Sequence, residues 1–164
     1  MSSVLWFQAG ACSGNTMSFL NAEEPNVVDL IVDFGLEVIW HPSLGVELGD
    51  NAKKIFSDCA SGARPMDIFV LEGTVIRGPD GTGRMDMFAG RPMIEWVTEL
   101  ANAASIVVAI GDCACDGGVF QGSYAVVGKV AAVLPVDLQI PGCPPDPDAL
   151  LRGLLRISGE QVNS

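Results

Sequence analysis

An α/β fold built on a mostly parallel sheet is what this sequence predicts, and three observations predict it. Short apolar, β-rich runs alternate with helical stretches along the chain, a pattern that places helices on both faces of a parallel sheet. The run Ile106-Val107-Val108-Ala109-Ile110 is apolar on both sides, as a strand covered on either face must be. Cys12, Cys113 and Cys143 each sit in a glycine-bearing segment just past a predicted strand, on the edge where such sheets bind ligands.

Taken in order, Val4 to Phe7 reads as the first strand, and Thr16 to Phe34 as the helix that returns from it. The second strand is expected at Leu36 to Trp40, followed by a helix from Leu48 to Ala60 and a third strand from Asp67 to Leu71. Arg77 to Gly90 is the longest turn-rich stretch; a lid, a docking loop and a solvated connection all fit it. A helix over Pro92 to Ala103 leads to the fourth strand, Ser105 to Ile110, and a glycine-rich stretch ending near Val130 precedes a fifth strand at Val133 to Val136. The last helix runs from about Pro147 to Ile157, and Trp6, Phe7, Met66 and Phe69 read as core. With strand order 2-1-3-4-5, the first, third, fourth and fifth strands surround the point where the order reverses, so the three cysteine loops converge there. The expectation is a single flavodoxin-like doubly wound domain over residues 1–164 with a mostly parallel five-stranded sheet and no interdomain linker.

Composition narrows the classes of function. Hydrophobic residues make up 49% of the chain and mean hydropathy is +0.37, yet no apolar run approaches the roughly 20 residues a transmembrane helix needs. No transmembrane segment is expected, and the excess apolar surface points to a protein partner. Twenty acidic residues against nine basic ones give a net charge of −11, and with no basic cluster nucleic-acid binding is excluded. The N-terminus enters an apolar run at Val4 without an export pattern, so a cytoplasmic location is expected. Five cysteines, an odd number, argue against a disulfide framework and for metal or redox use of some of them.

The motifs carry the chemistry. Gly10-Ala11-Cys12-Ser13-Gly14-Asn15, Gly111-Asp112-Cys113-Ala114-Cys115-Asp116-Gly117-Gly118 and Pro141-Gly142-Cys143-Pro144-Pro145 read as one iron–sulfur site. Thiolates hold such clusters, and hydrogen bonds to sulfur and burial tune their potential. Glycines beside the ligands let backbone amides approach the sulfides, and the prolines around Cys143 stiffen its loop.

These segments, together with Glu72-Gly73 after the third strand, resemble the small, electron-transferring subunit of nickel–iron hydrogenases. The first 118 residues look most like small subunits of the uptake and sensory branch. The stretch from Gly122-Ser123-Tyr124 to Pro147-Asp148-Ala149-Leu150-Leu151 resembles the related quinone-reductase subunit of respiratory complex I. The resemblance implies that Cys12, Cys113 and Cys143 ligate the iron of one proximal cluster, and that Glu72 is the acidic residue near cluster and interface. It also implies that a large subunit holds the nickel–iron centre and splits hydrogen, so that no catalytic residue lies in this chain. A downstream electron-carrier protein or a second heterodimer would take the electron onward.

Two departures from that family stand out. Asn15 occupies the position of the second cysteine of the usual hydrogenase motif, so the cluster is expected to be 3Fe-4S, or 4Fe-4S with an unusual fourth ligand. Asn15 is expected to donate a hydrogen bond to sulfur rather than ligate iron. Only 21 residues follow Cys143, whereas many hydrogenase small subunits continue into a domain with two further clusters, so no second cluster domain is expected.

Other residues have two readings each. Cys115 is a possible fourth thiolate or packs behind the ligands, and Cys59 reads as a buried structural cysteine. His41 reads as a loop residue, and Asp112 and Asp116 as turn caps or extra ligands. Met85, Met87, Phe88 and Met93 read as an interface with the large subunit. Besides the hydrogenase reading, a complex I-like quinone-reductase subunit and a zinc-binding or hydrogen-sensing module remain open. Zinc favours four closed ligands arriving as short pairs, and only Cys113 and Cys115 make one.

Overall fold

The structure is a computed structural model that describes residues 2–159. β1 (Ser3–Gln8) leads into α1 (Gly14–Leu20) and α2 (Val27–Val32), then β2 (Glu37–Trp40), α3 (Gly49–Ala60) and β3 (Ile68–Glu72). A small antiparallel ribbon, β4 (Met87–Phe88) with β5 (Arg91–Pro92), precedes α4 (Met93–Ala103) and β6 (Ile106–Ile110). A single-turn α5 (Asp112–Cys115), β7 (Leu138–Ile140) and α6 (Pro147–Ser158) complete the described chain. The five main strands are all parallel in the order β2-β1-β3-β6-β7, the flavodoxin-like order the sequence predicts.

Alternation along each strand divides two cores. Leu5, Phe7, Phe69, Leu71, Val107 and Ala109 pack under α3 and α4 with Phe56, Trp96, Val97 and Leu100. Val4, Trp6, Ile68, Val70, Val108 and Ile110 meet Phe19, Leu30 and the Leu150, Leu151, Leu154 and Leu155 face of α6. Asp146 opens α6 by accepting from the Ala149 N–H at 3.1 Å, with Pro147 in the first turn.

Two expected elements differ. The helix over Thr16 to Phe34 is two helices, because Pro25 brings no N–H and constrains the residue before it. Asn26 restarts the helix with a capping box, accepting from the Val28 and Asp29 amides while the Asp29 carboxylate accepts from the Asn26 N–H. The fifth strand is Leu138–Ile140, not Val133 to Val136. Val130–Ala132 forms a 3-10 turn, Leu134 drops into the α3–α4 core, and Pro135 cannot donate to a ladder. Asp137 then sets the start of pairing, its Oδ2 accepting from the Val107 N–H at 2.8 Å.

Of the four residues expected at an interface, Met85 and Met87 are exposed, but Met93 is buried and Phe88 packs edge-on to Phe7, Phe56 and Trp96. The ribbon folds Phe88 back onto the core, where it offers its carbonyl to Trp96 Nε1 at 2.9 Å. Cys59 is fully buried, as expected. His41 is not an open loop residue: it is 1% exposed and lies against the rings of Trp6 and Phe19.

Candidate functional site

The carboxyl ends of β1, β6 and β7 deliver the three cysteine loops to one place, and side chains tie the loops together pairwise. Past β1, the Gly10 and Thr74 backbones exchange hydrogen bonds of 2.9 and 3.1 Å, which fixes the Cys12 loop beside the end of β3. Gly73 makes this approach possible. Its φ is +90°, and a Cβ there would lie 2.6 Å from the Ala11 Cβ and from the Gly10 carbonyl oxygen. Ser13, at φ 64° and accepting from Gln8 Nε2 at 2.6 Å, turns the chain into α1.

Asn15 links the Cys12 loop to the Cys113 loop. It is buried, donates to the Ile110 carbonyl at 3.4 Å and lies against Gly111, where a Cβ would stand 2.6 Å from Asn15 Nδ2. Asp112 links the Cys113 and Cys143 loops: its amide donates to the Gly142 carbonyl at 2.9 Å, and its Oδ1 accepts from the Gly142 amide at 2.6 Å. Asp112 is therefore a turn residue that pins a neighbouring loop. Ser18 closes the triangle, donating from α1 to the Pro145 carbonyl at 2.6 Å.

Cys12 and Cys143 are exposed and Cys113 is partly buried. The Cys113 thiol is pushed up first by burial and then by the charges of Cys143 and Cys12, so the three sulfurs share one electrostatic neighbourhood. Cys115 is outside it. Two residues along a helix turn its side chain by about 200° from that of Cys113, its Sγ faces the Ala109 carbonyl at 3.8 Å, and burial followed by Asp112 and Asp116 pushes its thiol up to about 11. Buried and facing the Ala109 carbonyl, Cys115 packs behind the loop.

Glu72 ends β3 between the Cys12 and Cys113 loops, paired in register with Gln8 and Ile110. It is fully buried, and both its oxygens are engaged: Oε1 accepts from the Thr16 N–H at 3.2 Å, and Oε2 from Trp6 Nε1 at 2.8 Å and from Thr16 Oγ1. Sequence reasoning singled out Glu72 but missed its holders Thr16 and Trp6, and missed Ser18. The only signal for Thr16 and Ser18 was a polar hydroxyl on a helix face that otherwise turns inward.

The residues present fit a thiolate-bound group: three thiols from three loops share one neighbourhood, with glycines packed beside them. Among the described residues, no three His, Cys, Asp or Glu side chains come close enough together for a single metal ion. Glycines let these loops pack closely: a Cβ on Gly14 would stand 3.2 Å from Cys12 Sγ, and one on Gly118 would stand 3.0 Å from the Cys113 backbone nitrogen.

Comparison with known proteins gives the lineage. The sequence profile described as "NADH ubiquinone oxidoreductase, 20 Kd subunit" matches residues 12–157, most of the chain. The chain belongs to this family. Two kinds of relative are similar to this chain. An NADH-quinone oxidoreductase subunit of Heliobacterium modesticaldum is 40% identical over 100 residues, 61% of this chain and 51% of that protein. The hydrogenase-2 small chain of Escherichia coli K12 is 28% identical over 158 residues, 94% of this chain and 42% of that protein. The chain spans about half the length of the curated relatives it matches. Among solved structures, the actinobacterial-type NiFe-hydrogenase from Ralstonia eutropha H16 superposes with a TM-score of 0.77 at 25% identity, covering 95% of this chain and 52% of that one. A [NiFeSe]-hydrogenase from Dm. baculatum superposes at 0.79 and 24% identity, covering 96% and 62%, a likeness of fold. Among the described residues, no helix is long and apolar enough to cross a membrane.

Proposed function

We propose that this chain is the small electron-transfer subunit of a nickel–iron hydrogenase, with one iron–sulfur cluster held by Cys12, Cys113 and Cys143. The observation that carries the reading is the convergence of three thiols from three strand ends, tied by Asn15, Asp112 and Ser18 into one frame. When bound, the cluster supplies a site that accepts and releases one electron. The chain's own residues do the rest. Cys12, Cys113 and Cys143 bind as thiolates, Gly14 leaves room beside the Cys12 sulfur and Gly118 beside the Cys113 backbone, and the bonded loops resist rearrangement as the charge changes. Asn15 holds the Cys12 and Cys113 loops at a fixed spacing; with its amide on the Ile110 carbonyl and Cys115 turned inward, the site offers three cysteine ligands.

Hydrogen would be split in a large subunit docked over the loop edge. The exposed apolar side chains of Met17 on α1 and of Val119 and Phe120 after α5 flank the cysteine loops and suit such an interface. This single cluster domain would pass the electron to a carrier protein or a second heterodimer, in the cytoplasm. The 40% identity to the NADH-quinone oxidoreductase relative favours a second reading, in which the same cluster reduces quinone.

Electron paramagnetic resonance with iron and sulfide analysis on anaerobically purified protein tests the site. A signal in the oxidised state with three irons per chain is expected for a 3Fe-4S cluster; four irons with a signal only on reduction would require a fourth ligand, and no iron would overturn the proposal. Hydrogen uptake by the purified complex, abolished by Cys12→Ala, supports the hydrogenase reading; quinone reduction without hydrogen uptake selects the second.

A further inference from the structure

Among the described residues, Glu72 is the one buried acidic side chain, and nothing around it carries a compensating positive charge. The ion pairs of the described chain all lie elsewhere, at Lys54–Asp58, Arg64–Glu37 and Arg91 with Glu95 and Glu99. Of its partners, the indole N–H of Trp6 and the amide of Thr16 can only donate, and they engage different oxygens; the Thr16 hydroxyl adds a contact to Oε2. Donors on both oxygens stabilise the anion. The neighbouring imidazole, His41, lies across the Trp6 ring at 5.0 Å between centroids and, lowered to about 4 by burial, stays neutral near pH 7.

We propose that Glu72 is held ionised and acts as a fixed negative charge beneath the cluster, setting its reduction potential low without ligating iron. The inference rests on the reading of the site as a cluster site. β3 lies between β1 and β6, so Glu72 stands between the loops of Cys12 and Cys113, and Thr16, which binds it, lies one turn into the helix that Cys12 leads into. Both carboxylate oxygens are hydrogen-bonded to Thr16 and Trp6, which hold the side chain on the inner side of the sheet. Adding an electron beside an uncompensated anion in a dry interior is opposed by a repulsion that water would otherwise screen. Removing the charge while keeping the side chain's shape therefore makes reduction easier.

The test is a redox titration followed by paramagnetic resonance on the cluster-containing protein and its Glu72→Gln variant, with iron and sulfide counted in the same samples. The expected result is equal iron content and a midpoint potential displaced to more positive values in E72Q. An intact cluster with unchanged potential overturns the role of Glu72 and leaves the cluster reading standing. A wild-type protein without iron overturns both. If E72Q does not fold, infrared spectra of wild-type protein labelled with ¹³C-glutamate decide the charge state: carboxylate bands alone are expected at pH 7, and a protonated-carboxyl band that moves with the label overturns the inference.

Discussion

The two faces of the sheet are built on different terms. Under α3 and α4 the core is apolar and aromatic: Phe7, Phe56, Phe88 and Trp96 meet edge to face, with centroids 5.3 to 6.3 Å apart, and Trp40 also packs edge-on to Phe56. Under α1 and α6 the same strands bury polar groups, including Asn15, Thr16, Ser18, His41 and Glu72. Alternation explains the division, since Trp6 and Glu72 point to one side and Phe7 and Leu71 to the other. The lesson is that one face carries stability by area, whereas the other gives up some of that area to hold loops and a buried carboxyl group in place.

Three measurements sharpen or break this contrast. The largest effect is expected from Phe56→Ala, which empties the centre of the aromatic face and should cost about 3–5 kcal/mol in chemical denaturation. The iron content of whatever folds should be unchanged. A loss of iron as large as the loss of stability would mean that the two faces are not separable.

The next effect belongs to His41. Its Nδ1 accepts from the Ser43 amide at 3.0 Å, so Nε2 carries the ring proton and finds no partner among the described residues. Burial lowers it from 6.5 to about 4, so the unfolded chain takes up a proton at a pH where the folded protein does not. Stability should therefore fall as pH drops from about 6.5 to 4, by roughly 3 kcal/mol from this residue at about 1.4 kcal/mol per unit. Denaturation midpoints across that range, compared with those of His41→Phe, isolate the contribution. Equal slopes in both proteins would remove His41 from the account.

The smallest effect is expected from Thr16→Val, which keeps the side chain's shape but withdraws one of the three bonds to Glu72. A cost of about 1–3 kcal/mol follows from leaving a buried carboxyl acceptor one donor short. Thermal melts read it directly, and a cost matching that of Phe56→Ala would show that the polar face carries as much stability as the apolar one.

Much of this was legible in the sequence because it depends on local pattern. The alternation of strand and helix, the doubly apolar Ile106–Ile110 run and the placement of cysteines after strands led to the observed strand order. The split at Pro25 and the shift of the last strand to Leu138–Ile140 were harder, because a proline's effect depends on which backbone groups the neighbours need. Val133 to Val136 has strand-like composition, yet Leu134 gains more by entering the core than by pairing.

By itself, the sequence determined the fold class, the strand order and the three cysteine loops, since period and motif are properties of neighbouring residues. Only tertiary structure decided that Cys115 turns inward, that Asp112 locks the Cys143 loop, that Phe88 and Met93 belong to the core, and that Trp6 and Thr16 hold Glu72. The contacts of Asp112 and Glu72 join residues 30 to 66 positions apart, and the others depend on which way a side chain points. Geometry of that kind follows from how strands and helices pack together, and no local pattern encodes it.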